Sequence, residues 1–293
     1  MLDAALPELP ERSIMIIKCW GSRGSIPVSG KKYVKYGGDT TCLEIRNKTG
    51  DIIIVDAGTG IRRLGNHLLG ETHADYHFIF THAHWDHLMG FPFFKPLHSQ
   101  GVRLLMYRCP FQNRYVETVL TSVMSPPYFP VKYADVGARI EYIEACPIPF
   151  RIGSLEIIPI PISHPNGGSG YKFVEDGKIF VFLTDNELGF VHRGGLSHHE
   201  YVKFVAGADL LIHDAEYTPE EYGTTKGWGH TVYPDAVRLA GEARAKQLGL
   251  FHLNQDRNDQ DMDRVVDDCR RIVHEANWPL DCFAVGADAT YPL

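Results

Sequence analysis

Chemistry-bearing side chains crowd one hexapeptide of this 293-residue chain, His82-Ala83-His84-Trp85-Asp86-His87. It follows directly on an apolar, strand-like run at 76–80. Imidazoles at alternate positions on a loop leaving a strand can point the same way and grip one metal ion. Asp86 and His87 then face a neighbouring position where a second ion can sit. Core histidines seldom cluster and surface ones need no such order, so four ligand-type residues in six positions read as a metal-binding loop. The chain holds 15 histidines in all, and their positions must account for that number.

The elements that position this loop follow from the hydrophobic pattern. Short β-branched or aromatic runs at 14–20, 42–46, 51–55 and 76–80, bounded by Gly, Asp or Asn, predict strands, with Asn47-Lys48-Thr49-Gly50 as a hairpin turn. A helix is expected after Gly60, with Ile61, Leu64, Leu68 and Leu69 on one face and Gly70 closing it. Further strands are expected at 102–107, 140–143, 155–160, 171–174 and 179–183. The later part turns helical at 197–205, 234–248 and 259–276, with strands interleaved at 209–212, 250–253 and 283–285. Strands grouped early and helices interspersed later predict a layered α/β sandwich. No repeat or linker divides the chain, so residues 1–293 are expected to form one domain. The aromatic and proline-rich stretch 91–130 is expected to be an insertion or lid.

Composition narrows the class. The chain is 44% hydrophobic and 22% charged, enough for a sizeable core. No run approaches the ~18 uninterrupted apolar residues of a membrane span, so no membrane partner is expected. Residues 1–12 are acidic and proline-broken, unlike a signal peptide. A net charge of −7 argues against coating nucleic acid through a general basic field. Cys19, Cys42, Cys109, Cys146, Cys269 and Cys282 lack any paired short spacing, which predicts free thiols and a reducing, cytoplasmic setting.

At its histidine-rich loop the chain resembles the metallo-β-lactamase superfamily. That resemblance implies a four-layer αββα sandwich of two mixed β-sheets flanked by helices, and further ligands downstream. Ser163-His164-Pro165-Asn166 matches the third histidine, Thr184-Asp185-Asn186 the bridging carboxylate, and His252 the final histidine. Carried over, His82, His84 and His164 hold a first metal, Asp86, His87 and His252 a second, and Asp185 bridges both. Nitrogen and oxygen donors suit two divalent ions, Zn²⁺ or Mn²⁺ first and Fe next. Such a pair generates hydroxide near neutral pH and stabilises both sides of an in-line displacement, the machinery of a hydrolase.

A second pair of motifs, His213-Asp214-Ala215-Glu216 and Gly229-His230-Thr231, looks like those of the phosphodiesterase branch. That branch holds the tRNA 3′-processing ribonucleases and the phosphoribosyl cyclic phosphate diesterase. The resemblance makes His230 the general acid and Asp214 its partner, and His230, Asp214 and Asp86 are the candidate catalytic residues. The ribonuclease pattern has glutamate where Asp214 stands. A small phosphodiester, a cyclic nucleotide or cyclic sugar phosphate, is the expected substrate. The negative charge, and the lack of a long Gly- and basic-rich arm, make nucleic acid the lesser expectation. Alternatives are tRNA 3′ processing, thioester, lactone or lactam hydrolysis, and a di-iron redox or sensor module. A homodimer is compatible with the branch. Among weaker features, Gly21-Ser22-Arg23-Gly24-Ser25 forms a tight turn that could present N–H groups to a phosphate. Asp56 could orient a ligand histidine. Phe91, Phe93, Phe94, Tyr128 and Phe129 could wall a nucleobase pocket or pack a lid, and Lys31, Lys32 and Lys35 read as a solvated loop.

Overall fold

A computed structural model describes residues 14–108, 116–145 and 147–293. The leader expectation for 1–12 therefore lies outside the described residues, as do Cys109 and Cys146. Strands β1 (Ile16–Gly21), β2 (Cys42–Arg46) and β3 (Ile52–Val55) form an antiparallel meander. Its second turn is the expected one, with Gly50 at φ 86° and the Asn47 side chain accepting from the Asp51 N–H at 2.8 Å. Helix α1 (Ile61–Leu68) buries Ile61, Leu64 and Leu68 and carries the chain to β4 (Asp75–Ile79), now parallel to β3. The single-turn helix α2 (Trp85–Leu88) and the strand β5 (Arg103–Arg108) follow, then α3 (Val116–Val123) and β6 (Arg139–Glu144).

The second sheet repeats that logic. Strands β7 (Phe150–Ile152), β8 (Leu155–Pro161), β9 (Ser169–Glu175) and β10 (Lys178–Leu183) are antiparallel neighbours. Helix α4 (His198–Val205) then leads to β11 (Leu210–Asp214), and α5 (Pro219–Thr225) and α6 (Tyr233–Glu242) lead to β12 (Gln247–Phe251). Helix α7 (Asp259–Glu275) leads to β13 (Asp281–Ala284), and β14 (Thr290–Pro292) returns to pair with β1. The two seven-stranded mixed sheets run β14-β1-β2-β3-β4-β5-β6 and β13-β12-β11-β10-β9-β8-β7. This is the expected sandwich of two mixed sheets with helices on the flanks.

The continuous apolar run of β10 shows why the layers form. Phe180 and Phe182 face Ile53, Phe78 and Met106 in the core between the sheets, while Val181 and Leu183 face the helix layer with Val237, Leu239 and Val266. A strand buried on both faces must be apolar at every position. Each fully buried aromatic or aliphatic side chain contributes about 1.5–3 kcal/mol.

Two expectations need correction. The helix expected at 234–248 stops at Glu242, because Arg244 takes φ 54° and Gln247 and Leu248 pair with Asp281 and Cys282 in the sheet. The apolar run that looked helical is partly strand. The described residues of the stretch 91–130 are also more core than lid. Arg103–Arg108 is an interior strand, Phe91 and Phe94 are fully buried, and Val116 and Leu120 of α3 join the same core. Phe93 and Phe129 pack edge to face at 5.7 Å at its margin, and Tyr128 is exposed. The contrast can be tested by urea unfolding. Phe94→Ala should cost about 3–5 kcal/mol, whereas Phe93→Ala, at a side chain 55% exposed, should cost less than about 1 kcal/mol.

Candidate metal centre

The side chains singled out by sequence converge where parallel-paired strands end. Asp56 follows β3, His82 lies beyond β4, Asp185 follows β10, Asp214 closes β11 and His252 follows β12. Open α/β sheets collect their functional groups at this edge. Asp56, Asp185 and His252 take φ of 62°, 52° and 55°, a left-handed region that L residues populate at a cost of roughly 1–2 kcal/mol each. Each strand thus ends in an abrupt turn that swings its side chain onto the sheet edge. Helix α2 starts after His84, so its first turn carries Asp86 and His87 away from the extended His82 and His84.

The result is two clusters joined by one carboxylate. His82, His84, His164 and Asp185 present ligand atoms within 4.8 Å of one another, and so do Asp86, His87, Asp185 and His252. Asp185 Oδ1 lies 3.5 Å from His82 Nε2 and 3.3 Å from His252 Nε2, and its Oδ2 lies 3.2 Å from His87 Nε2. His164 Nε2 is 3.0 Å from His84 Nδ1, so His84 turns its Nδ1 inward. Every expected ligand is brought together. The donors fit divalent cations: His82 Nε2 and His87 Nε2 are buried without a hydrogen-bond partner, a costly state that a cation in each cluster would remove.

The outer nitrogens are held by the protein. The Asp56 carboxylate accepts from the Thr81 N–H at 2.7 Å, the Thr81 hydroxyl at 2.6 Å and His87 Nδ1–H at 2.8 Å. His164 Nδ1–H donates to the Gly229 carbonyl at 2.9 Å, and His252 Nδ1–H to Glu216 at 2.8 Å. Such contacts fix each tautomer and aim the other nitrogen at the metal position. Glu216 was missed by sequence reasoning, although it stands two residues past Asp214 in a motif already singled out, where alternation puts both on one side. Glycines make the approach possible: a Cβ on Gly24 would lie 2.1 Å from His252 Nδ1.

Charge follows burial. Desolvation, with repulsion from His87, holds His82 well below its ordinary pKa, and burial lowers His84 and takes His164 to about 3, so all three present neutral lone pairs. Burial opposes protonation of His87 and His252 too, but Asp86, Asp185 and Asp56 around the first, and Asp185, Asp86 and Glu216 around the second, hold both well above the usual range.

His230 stands beside these clusters. Its Nδ1–H donates to Asp214 Oδ2 at 2.7 Å, and its ring stacks on His252 at 4.4 Å and meets His164 at 5.3 Å. Asp214 Oδ1 accepts from the Thr231 N–H at 3.0 Å and the Glu216 N–H at 3.1 Å, so the aspartate in place of glutamate spans the gap. Asp214, His230 and His252 also lie within 4.8 Å, but there Asp214 and His230 satisfy each other. His213 is buried against the Asp214 carbonyl and Asn186 and serves the scaffold.

The 21–25 turn is spent on structure. The Ser25 N–H donates to Asp86 Oδ2 at 2.9 Å and the Gly24 N–H to the Leu253 carbonyl at 3.1 Å, so neither is free to receive a phosphate. Buried Arg23 donates to the carbonyls of Gly37, Asn254 and Arg257, joining the rims of the two sheets. Beside His164 an open cavity of about 670 Å³ is lined by Asn166, Gly167, His192 and Arg193.

This geometry agrees with the relatives the chain matches. A family profile described as the Beta-lactamase superfamily domain matches residues 52–253. A protein named Ribonuclease Z from Haloarcula marismortui is 24% identical, covering 85% of this chain and 89% of its own length. Among solved structures, the metallo-beta-lactamase fold protein YhfI from Bacillus subtilis superposes with TM-score 0.67 at 16% identity, covering 96% of this chain and all of its own. A diphosphatase from the PhnP family superposes with TM-score 0.66 at 17% identity, covering 94% of this chain and 97% of its own. No helix among the described residues is long and apolar enough to cross a membrane. With its family profile spanning more than half of the sequence and its candidate ligand side chains gathered at one sheet edge, the chain belongs to the beta-lactamase superfamily.

Proposed function

We propose that this chain is a binuclear metal-dependent phosphodiesterase. The observation that carries this reading is His230, an imidazole held by a buried carboxylate beside both ligand clusters and belonging to neither side of the Asp185 bridge. His82, His84 and His164 would hold one ion, Asp86, His87 and His252 the other, and Asp185 both. Two divalent ions supply Lewis acidity and hydroxide near neutral pH, with Zn²⁺ or Mn²⁺ best matched to the nitrogen and oxygen donors. The protein's own part is to place the diester and move a proton. Asp214 fixes the His230 ring so that its Nε2–H faces the leaving oxygen, which departs as an alcohol rather than an alkoxide. Thioester cleavage, which expels a weakly basic thiolate, needs no such acid to the same degree.

A small diester is the preferred substrate, supported by the net charge of −7 and a cavity within the size range of small-ligand pockets. The names of the Ribonuclease Z relatives favour a second reading, cleavage of a tRNA precursor. Turnover of a 2′,3′-cyclic nucleotide against a 3′-extended tRNA, with thioester and lactone controls, separates these readings.

The proton-delivery role predicts a leaving-group effect. On methyl aryl phosphates, His230→Ala should slow phenolate release ~10²-fold or more and p-nitrophenolate release less than ~5-fold. Equal losses on both would refute the assignment. Burial works against a charge on His230, but Glu216 and Asp214 outweigh it and lift its pKa to about 9. In the metal-free chain the imidazolium is therefore the form present at neutral pH and is lost as pH rises through about 9. NMR titration of the metal-free protein should show that midpoint for His230, moving down in Asp214→Asn. A midpoint near the ordinary histidine value would contradict the pairing.

A further inference from the structure

Glu187 is 1% exposed, lies two positions past Asp185 and belongs to neither ligand cluster. Its Oε1 accepts from the Tyr222 hydroxyl at 2.6 Å and the Gly227 N–H at 2.7 Å. Its Oε2 accepts from the Gly229 N–H at 2.8 Å and lies 2.8 Å from His192 Nε2. A carboxylate offers about four lone-pair positions, and here all are taken. Saturation of this kind fixes a buried charge and whatever is bonded to it.

What is bonded to it is the loop that ends in His230. Gly227 and Gly229 take φ of 87° and 101°, open to glycine, and a Cβ on Gly229 would sit 2.1 Å from His164 Nδ1. On the far side of His230, the Leu188 N–H donates to the Thr231 hydroxyl oxygen at 2.9 Å, and that hydroxyl donates to the Asn186 carbonyl at 2.5 Å. The three residues 186–188 thus bracket His230 from both sides. The same segment is tied to the first ligand cluster, because the Glu187 N–H donates to the Ser163 carbonyl at 2.8 Å, next to His164. His192, the fourth contact of the carboxylate, lines the cavity beside His164.

We propose that Glu187 is a positioning residue for His230: its carboxylate clamps the 227–229 backbone so that the imidazole keeps its place over His252 and His164, and it ties that loop to His192 on the cavity wall. This rests on the reading of His230 as proton donor. Glu187 touches no reacting atom. Asp214 bonds the His230 ring and orients it, whereas Glu187 sets where its backbone stands. Glutamine in its place would turn one oxygen into a donor, leave two of the four groups without an acceptor and let the loop drift. Proton delivery depends on sub-ångström placement, so the chemical step suffers before binding does.

The test uses the full-length, metal-loaded chain with methyl p-nitrophenyl and methyl phenyl phosphate as probes. Glu187→Gln should lower kcat for phenolate release ~10–100-fold, keep p-nitrophenolate release within ~3-fold, and leave KM and bound metal unchanged. The double variant Glu187→Gln/His230→Ala should be no slower than His230→Ala, because residues acting through one proton transfer do not add. Tyr222→Phe, which removes one donor and little volume, should shift phenolate release ~3-fold in the same direction and carries the test if Glu187→Gln folds poorly. Equal losses on both probes, losses that multiply in the double variant, or loss of metal would overturn the proposal. If His230→Ala discriminates between the probes and neither Glu187→Gln nor Tyr222→Phe does, the Glu187 role falls while the phosphodiesterase reading stands. If His230→Ala does not discriminate, the acid assignment fails first and takes the Glu187 role with it.

Discussion

A carboxylate almost without exposure, Asp185, sits among the imidazoles of His82, His87, His164 and His252, all within 3.8 Å. Burying an anion beside so many dipoles is costly unless a matching positive charge is present. Protonated His87 and His252 supply part of it in the metal-free chain, since both are held in the charged form by surrounding carboxylates. They do not supply all of it, because His82, His84 and His164 are held neutral and His82 Nε2 is buried without a hydrogen-bond partner. Neutral nitrogens aimed inward around a shared carboxylate make a site whose unmet demand is for cations.

The rest of the molecule serves that demand. Each sheet begins as an antiparallel meander and continues as parallel strands, so the strands carrying the site end at one edge. Left-handed φ at Asp56, Asp185 and His252 costs backbone energy, which the two apolar layers around β10 offset. A second ring of carboxylates, Asp56, Asp214 and Glu216, then fixes imidazole orientation from behind. Stiffness at the centre is thus bought by ordinary packing at the periphery.

Much of this was legible in the sequence, because side-chain chemistry and strand ends coincide. The hexapeptide 82–87 is dense enough to announce itself, and His164, Asp185 and His252 each follow an apolar run. Asp56 was legible for the same reason. Glu216 and Glu187 were not, since a carboxylate whose task is to accept from a distant imidazole or from loop N–H groups looks like any surface glutamate until the chain is folded. The end of α6 at Glu242 was hidden because Leu248 suits a helix face and a buried strand equally well. Phe91 and Phe94 misled in the opposite sense: aromatics and prolines read as a lid, but short 3-10 turns place the rings under α1 in the core. Phe93, exposed between them, shows that composition could not separate the two roles.

Proton delivery by His230 and its backbone support by Glu187 have meaning only if Asp185 is shared by two cations. Anomalous diffraction from crystals grown with Zn²⁺ or Mn²⁺ tests that sharing most directly. Two peaks ~3.5–4 Å apart on either side of the Asp185 carboxylate are predicted, one by His82, His84 and His164 and one by Asp86, His87 and His252. A single peak, or one seated between Asp214, His230 and His252, would contradict it.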